Sequence, residues 1–243
     1  MDNQETNLIY GKNAVTETLN SGREIDTVYI QKGAALSKMV AIAKKNGVVI
    51  KEVSDERLTA ICGTPKHGGT AAELAAASYS TVEDILANAE QRGKPPFIII
   101  ADEIEDPHNL GAIIRTAEAA GADGLIIPKR RSASLNATVF KTSAGAAAWL
   151  KVARVANLVD TIKRLKEAGV WVSGMEAGGT PIAQADLSGA VALVVGSEGF
   201  GLGRLVRENC DMTLSLPMFG KVNSLNASVS AGIIMYEVVK HRG

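Results

Sequence analysis

The chain after Pro96 alternates short apolar runs with segments of helical periodicity, and this alternation limits the fold more than any other feature of the sequence. The apolar runs are rich in β-branched residues and bounded by Gly, Pro or Asp, as buried strands are: FIIIAD, DGLIIP, ARVA, VWVSGM, VALVVG and TLSLP. Between them, segments such as LVDTIKRLKEAG, with Leu158, Ile162 and Leu165 on one face, predict helices. Apolar strands joined by helices indicate a mainly parallel sheet with covering helices, so we predict an α/β domain over residues 81–243.

Residues 1–75 predict a smaller α/β unit. GKNAVTETLNSG and SKMVAIAKKNG have helical periodicity, whereas TVYIQKG and VVIKEVS have the pattern of strands. The turn-rich stretch GTPKHGGT is expected to end this unit, and residues 71–78 are small and featureless, which predicts a linker at 76–80. Ser80 and Glu83 have the spacing of a capping box, so the second domain is expected to open with a helix.

The composition excludes several classes of protein. A chain of 243 residues with 46% hydrophobic residues can fill one large core or two smaller ones, which excludes disordered and fibrous classes. No run approaches the roughly 18 apolar residues of a membrane span, and the polar, acidic N-terminus is unlike a signal peptide, so we expect a cytoplasmic protein. Cys62 and Cys210 lack the spacing of zinc ligands; we expect two buried, reduced thiols and no metal.

Charge is unevenly distributed although the formal net charge is zero. Between Lys129 and Lys166, nine Lys and Arg residues face a single acid, Asp160. A neutral total can therefore include a basic surface that meets nucleic-acid phosphates. We predict that the loop triplet Lys129, Arg130 and Arg131 contacts RNA, whereas the basic residues at 163–166 are the solvated side of a helix.

Polar side chains are concentrated at three predicted strand-to-helix junctions. The junctions are Glu105–Asn109, with Arg115 about one and a half turns into the following helix, Ser197–Gly203, and the long segment Leu214–Glu237. Ligands of open parallel sheets bind beyond the carboxyl ends of the strands, where such loops lead into helices. Asn109 can cap the first of these helices. At the last, Asn223, Ser224, Asn226 and Ser228 supply donors and acceptors around the helix start, and the alternative to a ligand site there is a helix capped by Asn223 with spare polar surface.

Familiar phosphate and nucleophile motifs are excluded by single residues. Gly69 stands where a phosphate-binding loop requires lysine, and Arg204 stands where a dinucleotide loop requires its last glycine. Ser197 is not in a GxSxG elbow. A nicotinamide-dependent enzyme is therefore disfavoured.

In their order, spacing and residues, the three junctions resemble motifs 1, 2 and 3 of the SpoU/TrmH family of RNA ribose 2'-O-methyltransferases. The resemblance covers Pro96 to the C-terminus, with a mild departure at Ala227, where many relatives have valine. It implies S-adenosylmethionine as cofactor and a ribose 2'-hydroxyl as the methyl acceptor. It assigns catalysis to Asn109, Arg115, Glu198, Ser224 and Asn226, and cofactor binding to Gly196, Leu216 and Leu225 with Met218 close by.

The expected role of Arg115 follows from its chemistry. Arginine is a poor base because its pKa is above about 12. We therefore expect Arg115 to hold an RNA phosphate and to stabilise the forming alkoxide. The sequence does not identify the group that accepts the proton of the 2'-hydroxyl. No metal is implied.

The resemblance also implies features that the residue pattern cannot predict. These are a C-terminal trefoil knot, a homodimer, and an N-terminal substrate-binding domain like ribosomal protein L30e. Pattern alone gives an unknotted doubly wound sheet; local support for the dimer is the apolar helix expected at Val229–Val239. Length and layout are most similar to the branch that methylates a guanosine in the peptidyl-transferase region of 23S rRNA.

Two alternatives stay open. The same chemistry on tRNA or on another RNA site fits the same motifs. A non-catalytic RNA-binding protein with this fold is a different class, and it is disfavoured because all five residues to which the resemblance assigns catalysis are present.

Overall fold

A computed structural model of the chain describes residues 8–21, 23–75 and 78–243. The described residues form two compact units: those up to Ser78 together with Ser134–Ala137, and Tyr79–Ala133 together with Thr138–Gly243. The predicted linker at 76–80 falls partly on residues 76 and 77, which lie outside the described residues, as does most of the polar N-terminus.

The first unit contains, within its described residues, a mixed four-stranded sheet in the order β1-β4-β2-β3. β2 and β3 pair in parallel, and β4 pairs antiparallel with both β1 and β2. Its elements are β1 (Leu8–Tyr10), α1 (Lys12–Asn20), β2 (Ile25–Gln31), α2 (Ser37–Lys45), β3 (Val49–Val53), α3 (Asp55–Cys62) and β4 (Thr70–Leu74).

One prediction for this unit is wrong. The small residues after Thr70, expected to be featureless, form β4 inside the sheet, where Ala71 and Ala72 are fully buried. Their low intrinsic strand propensity is overridden because β4 gains hydrogen-bonded neighbours on both sides.

The second unit is built, within the described residues, on a six-stranded sheet in the order β10-β8-β9-β5-β6-β7, and all five strand pairs are parallel. Its strands are β5 (Phe97–Ala101), β6 (Gly124–Pro128), β7 (Val152–Val155), β8 (Trp171–Pro181), β9 (Val191–Val195) and β10 (Met212–Ser215). Its helices are α4 (Val82–Arg92), α5 (Pro107–Ala119), α6 (Ala137–Thr142), α7 (Leu158–Glu167), α8 (Arg204–Asn209) and α9 (Ala227–Arg242). The prediction of an α/β fold with a parallel sheet and covering helices is confirmed.

The core of the second unit lies between the sheet and its helices. Ile98, Ile100 and Ile126 are fully buried on the central strands, and Ile162 and Leu165 pack against them from α7. Burying each such side chain contributes about 1.5–3 kcal/mol, so this core holds the carboxyl edge of the sheet in a defined position.

Three helix caps differ from the candidates considered in the sequence. The capping box is formed by Thr81 and Asp84, one residue later than expected. Asp106, and not Asn109, caps α5, accepting from the backbone N–H groups of His108 and Asn109 at 3.1 and 3.3 Å. Asn226, and not Asn223, caps α9. Since Asp106 satisfies the first turn of α5, the Asn109 side chain is available to the site.

Both cysteines are free, as predicted, but neither is fully buried. Burial raises the pKa of Cys210 to about 11, with a further rise from nearby Asp211. Among the described residues, no group of His, Cys, Asp and Glu could hold a metal ion. A search of the described residues found no helix with the length and apolarity needed to cross a membrane.

Candidate functional site

The three polar junctions begin at the carboxyl ends of strands that lie close together in the sheet. β5 and β9 are direct neighbours, and β8 separates β9 from the edge strand β10. After β10 the chain runs through residues 216–226 without regular structure and begins α9 at Ala227. The third junction thus returns from the edge of the sheet to the first two.

Hydrogen bonds join one residue from each junction. Asn226 Nδ2 donates to Asn109 Oδ1 at 2.9 Å and also to Glu198 Oε1. The backbone N–H of Ala227 donates to the same oxygen of Glu198 at 3.3 Å. We call Asn109, Glu198 and Asn226 the Asn–Glu–Asn cluster; the structure brings together three residues that are far apart in sequence.

Asn226 also caps α9, and this cap fixes the orientation of its side-chain amide. Its Oδ1 accepts from the backbone N–H groups of Ser228 and Val229 at 3.0 and 3.3 Å, and from Ser228 Oγ at 2.6 Å. Because the oxygen caps α9, the amide nitrogen must face the acceptors on Asn109 and Glu198. The cap, worth about 1 kcal/mol, thereby orients a site residue.

A cavity of about 880 Å³ adjoins this cluster and is called the large cavity. Its walls come from β8 just past its pairing with β9, from the ends of β9 and β10, from the Ser197–Gly201 loop, from the irregular segment after β10 and from the start of α9. The predicted cofactor residues and the predicted catalytic serine all line it: Gly196, Leu216, Met218, Ser224 and Leu225.

Gly196 is required by a close backbone approach. A Cβ atom there would lie 2.3 Å from the carbonyl carbon of Gly201 and 2.4 Å from its oxygen. The loop between them is closed by two backbone hydrogen bonds of 3.0 Å between Ser197 and Gly201. Any side chain at 196 would therefore push this wall of the large cavity apart.

The lining of the large cavity suits S-adenosylmethionine. Leu216 and Leu225 offer apolar surface to an adenine ring. The charged residues among the described lining are Glu176 and Glu198, both acidic, which suits a cation and disfavours a phosphate. Glu176 is held by Arg207 at 2.6 Å.

A second cavity of about 420 Å³, called the small cavity, shares Ser197, Glu198 and Phe200 with the large one. Its other lining residues come from the first junction and from the loop after β6: Glu103, Ile104, Glu105, Asp106, Asn109 and Arg131. The Asn–Glu–Asn cluster therefore lies at the boundary between the two cavities.

The basic triplet divides in the structure. Arg131 lines the small cavity and pairs with Glu103 at 3.0 Å. That hydrogen bond and the charge of Glu103 raise the pKa of Arg131 above its usual range. Arg130 is exposed, and the backbone N–H of Lys129 is bonded to Val155 O at 2.8 Å. The loop position predicted for the triplet agrees with the structure, while its contact with RNA remains a prediction.

Arg115 is the predicted catalytic residue that stands apart. It lies on α5, the helix that carries Asn109, and is exposed to solvent. It is not among the described residues that line either cavity. Its position leaves it available to a large substrate that covers the surface, and its role stays a prediction.

Sequence reasoning missed several lining residues. Met175, Glu176 and Ala177 come from β8, which runs further than predicted, and Phe200 and Glu103 were not singled out. The first three could not be found from carboxyl strand ends, because they lie in the middle of β8, just past Gly174, where its pairing with β9 ends.

Asp102 binds the end of the glycine-rich loop Ser197–Gly203 through a hydrogen bond. It is buried at the end of β5, and its Oδ2 accepts from the backbone N–H of Gly203 at 2.7 Å. Burial raises the pKa of Asp102, the Gly203 hydrogen bond opposes that rise, and the nearby charge of Glu103 adds to it.

We expect Asp102 to make stability depend on pH. Since its pKa in the folded protein lies above the unfolded value of about 3.9, its contribution is fully present below about pH 4 and is lost as pH rises through the folded pKa. Asp102→Asn keeps an acceptor for Gly203 and cannot ionise. The free energy of unfolding of this variant, relative to wild type, should rise in urea titrations as pH is raised above about 4; a constant difference would contradict the assignment.

A parallel α/β domain with a cavity beside the carboxyl ends of its strands is an architecture that binds ligands at that place, and comparisons with known proteins identify the family. The SpoU rRNA Methylase family model matches residues 96–236, and the model for RNA 2'-O ribose methyltransferase substrate binding matches residues 8–80. YacO of Bacillus subtilis (strain 168), named as a TrmH family tRNA/rRNA methyltransferase, is 46% identical over 98% of this chain and 97% of its own length.

Solved structures agree with these matches. The AdoMet-bound rRNA methyltransferase of Sinorhizobium meliloti aligns with a TM-score of 0.60 and 26% identity over 96% of this chain and 87% of its own. The A. aeolicus TrmH/SpoU tRNA modifying enzyme aligns with a TM-score of 0.55 and 27% identity, over 61% of this chain and 75% of its own. The chain belongs to the SpoU/TrmH family of RNA methyltransferases, and the predicted family membership is confirmed.

Proposed function

We propose that this protein transfers a methyl group from S-adenosylmethionine to the ribose 2'-hydroxyl of a guanosine in the peptidyl-transferase region of 23S rRNA. The observation that carries the proposal is the Asn–Glu–Asn cluster at the boundary between a cavity suited to the cofactor and a second cavity open to a nucleotide. That placement lets a hydroxyl approach the cluster from one side while the methyl donor is held on the other.

S-Adenosylmethionine, when bound, supplies a methyl group activated by a sulfonium. The residues that would hold it are Gly196, Leu216, Leu225 and Met218, because their loops line the large cavity with main-chain groups and apolar side chains. Glu198 gives the cavity a negative character that favours a cationic ligand, whereas the charge of Glu176 is paired with Arg207.

The reacting hydroxyl is positioned by polar groups of the chain. Glu198 and Asn109 present oxygens that accept a hydrogen bond from a 2'-hydroxyl, and Ser224 lines the cavity close by. Fixing the hydroxyl in line with the methyl group supplies the orientation that the reaction requires. Arg115 is exposed on α5 and lines neither described cavity. We propose that it holds RNA phosphate when RNA covers this surface and that, in that complex, it also stabilises negative charge as it grows on the 2'-oxygen.

Ribosomal RNA is favoured over tRNA by the extent of the structural matches. The rRNA methyltransferase matches 96% of this chain, including the first unit, whereas the tRNA modifying enzyme matches 61%. We propose that the first unit, like the L30e-like domain of larger relatives, selects RNA, with Lys129 and Arg130 adding phosphate contacts. Methylation of tRNA is the second candidate, since YacO is named for both RNA classes.

A homodimer and a trefoil knot are part of the proposal. The dimer is supported by a stripe on α9 in which Val229, Ile233 and Tyr236 are 51%, 46% and 53% exposed. The knot is supported by the path of residues 216–226, which return from the edge of the sheet and place Asn226 in contact with Glu198 beside the Ser197–Gly201 loop.

Thermal melts with two nucleotide cofactors test the cofactor assignment. S-Adenosylmethionine at about 100 times its dissociation constant should stabilise the protein by about 2.7 kcal/mol, because it binds the folded state alone. NAD should give no shift, since no basic residue is found among the described residues that line the large cavity. A shift with NAD and none with S-adenosylmethionine would contradict the proposal.

A further inference from the structure

The small cavity is placed to receive the base of the nucleotide that is methylated. A ribose at the Asn–Glu–Asn cluster has the large cavity on one side, which the cofactor requires, and the small cavity on the other. Single-stranded or flipped nucleotides are read in such pockets by stacking and by hydrogen bonds to their base edges. What the small cavity offers chemically therefore bears on which base it takes.

The charge of the small cavity favours a base over a phosphate. Four carboxylates line it, from Glu103, Glu105, Asp106 and Glu198, against the single cation Arg131 among the described lining residues. A phosphate would meet repulsion there, whereas a neutral base with N–H donors would find acceptors.

Glu103 and Arg131 form a salt bridge in the wall of this cavity. Arg131 Nη1 lies 3.0 Å from Glu103 Oε1, and the backbone N–H of Ala133 donates to Ile104 O at 2.8 Å, which ties the two loops together. Both residues have left-handed backbone conformations, with φ of 57° and 54°. Such conformations are costly for side chains other than glycine and asparagine, so the loops hold this pair in place at some expense of stability.

Side by side, Glu103 and Arg131 present two hydrogen-bond acceptors, the carboxylate oxygens, and next to them a donor, the guanidinium. A carboxylate accepts, and a guanidinium donates. The Watson–Crick edge of guanine presents the complement, with donors at N2 and N1 and an acceptor at O6. Adenine and cytosine have a ring nitrogen acceptor where guanine has N1–H, and uracil flanks its one donor with two acceptors.

Phe200 supplies the remaining element of a base-binding pocket. It lines both cavities and its side chain is 93% exposed, although an aromatic ring gains by burial. Aromatic rings at such positions stack on bases of single-stranded RNA.

We propose that Glu103 and Arg131 read the guanine base of the target nucleotide, with Phe200 stacking on it; this assignment rests on the proposed ribose methylation. Glu103 accepts from N1–H and N2–H, and Arg131 donates to O6. The pair acts on the choice of nucleotide and leaves cofactor binding to the large cavity.

The test compares guanosine with inosine, which lacks the 2-amino group. Wild-type protein with S-adenosylmethionine is first incubated with total RNA from a strain that lacks this gene, and the methylated nucleotide is mapped. A synthetic RNA fragment is then made with guanosine or inosine at that position. Wild type should methylate the inosine fragment about ten- to a hundredfold more slowly in single turnover, the range expected for losing one good hydrogen-bonded contact to a base.

Glu103→Gln replaces one of the two acceptor oxygens by a donating amide, so it should slow methylation of guanosine by about the same factor and should distinguish guanosine from inosine less strongly than wild type. Arg131→Gln should also slow methylation of guanosine, by about tenfold, while still distinguishing inosine. The matched controls are Glu208→Gln and Arg204→Ala, which break an Arg–Glu pair of 2.9 Å on α8 that lines neither described cavity. Stabilisation by S-adenosylmethionine should be unchanged in all four variants.

The outcomes separate this inference from the proposed function. A wild-type protein that methylates no RNA would overturn both. Ribose methylation of adenosine, cytidine or uridine would leave the chemistry standing and overturn the guanine-reading pair. Methylation of guanosine with undiminished discrimination by Glu103→Gln would also overturn the pair alone.

Discussion

Gly196→Ala is expected to abolish binding of S-adenosylmethionine. The added Cβ would meet backbone atoms of Gly201 and Leu202 at 2.3–2.6 Å, so the loop that walls the large cavity must move. Backbone cannot yield as the end of a flexible side chain can, because Ser197 and Gly201 are hydrogen-bonded to each other. Calorimetric titration should show no cofactor binding, and the thermal shift should disappear.

Gly189→Ala is the matched control, since a Cβ at that position meets nothing within 4 Å. It should bind the cofactor as wild type does. Circular dichroism separates loss of binding from loss of folding in the Gly196 variant. Wild-type affinity in Gly196→Ala would show that the large cavity is not the cofactor site.

Arg115→Ala is expected to eliminate methylation while the fold and cofactor binding survive. The residue is exposed on α5, whose buried face includes Leu110, Ile113 and Ile114, so the loss of this polar side chain should cost little stability. Negative charge grows on the 2'-oxygen in the transition state. A guanidinium held near that oxygen lowers the energy of the transition state more than that of the bound substrate. Removing one such group typically slows the reaction about a hundredfold to a thousandfold.

Lysine at position 115 should restore little activity, because a point charge cannot reproduce the two-pronged contact of a guanidinium with phosphate and hydroxyl. Arg204→Ala removes another exposed arginine and should leave the single-turnover rate near that of wild type. A near wild-type rate in Arg115→Ala would contradict the role proposed for this residue.

The sheet of the second unit was predictable because its strands carry their own signal. Runs such as Phe97–Ala101 and Val191–Val195 are apolar throughout, which is the pattern of strands buried on both faces. β4 could not be predicted, since its small residues become a strand through pairing with β1 and β2. Local pattern is a good guide where burial is uniform and a poor one where tertiary contacts decide.

The site was predictable in part for a similar reason. Junction polarity and the family resemblance identified Asn109, Glu198 and Asn226, but the caps were misassigned because several polar residues compete at each helix start. The Glu103–Arg131 pair could not be predicted from the sequence, because Glu103 lies in the loop after β5 and Arg131 in the loop after β6. The contact exists because β5 and β6 are parallel neighbours whose carboxyl ends meet at one edge.

The central claim is ribose methylation of a 23S rRNA guanosine by the site at the Asn–Glu–Asn cluster. Its most direct test is to map 2'-O-methyl groups in total RNA from a strain lacking the gene, complemented with wild type or with Glu198→Ala. One guanosine of 23S rRNA should lose its 2'-O-methyl group in the deletion strain, regain it with wild type and stay unmethylated with Glu198→Ala. An unchanged map of ribose methylation in the deletion strain would contradict the account.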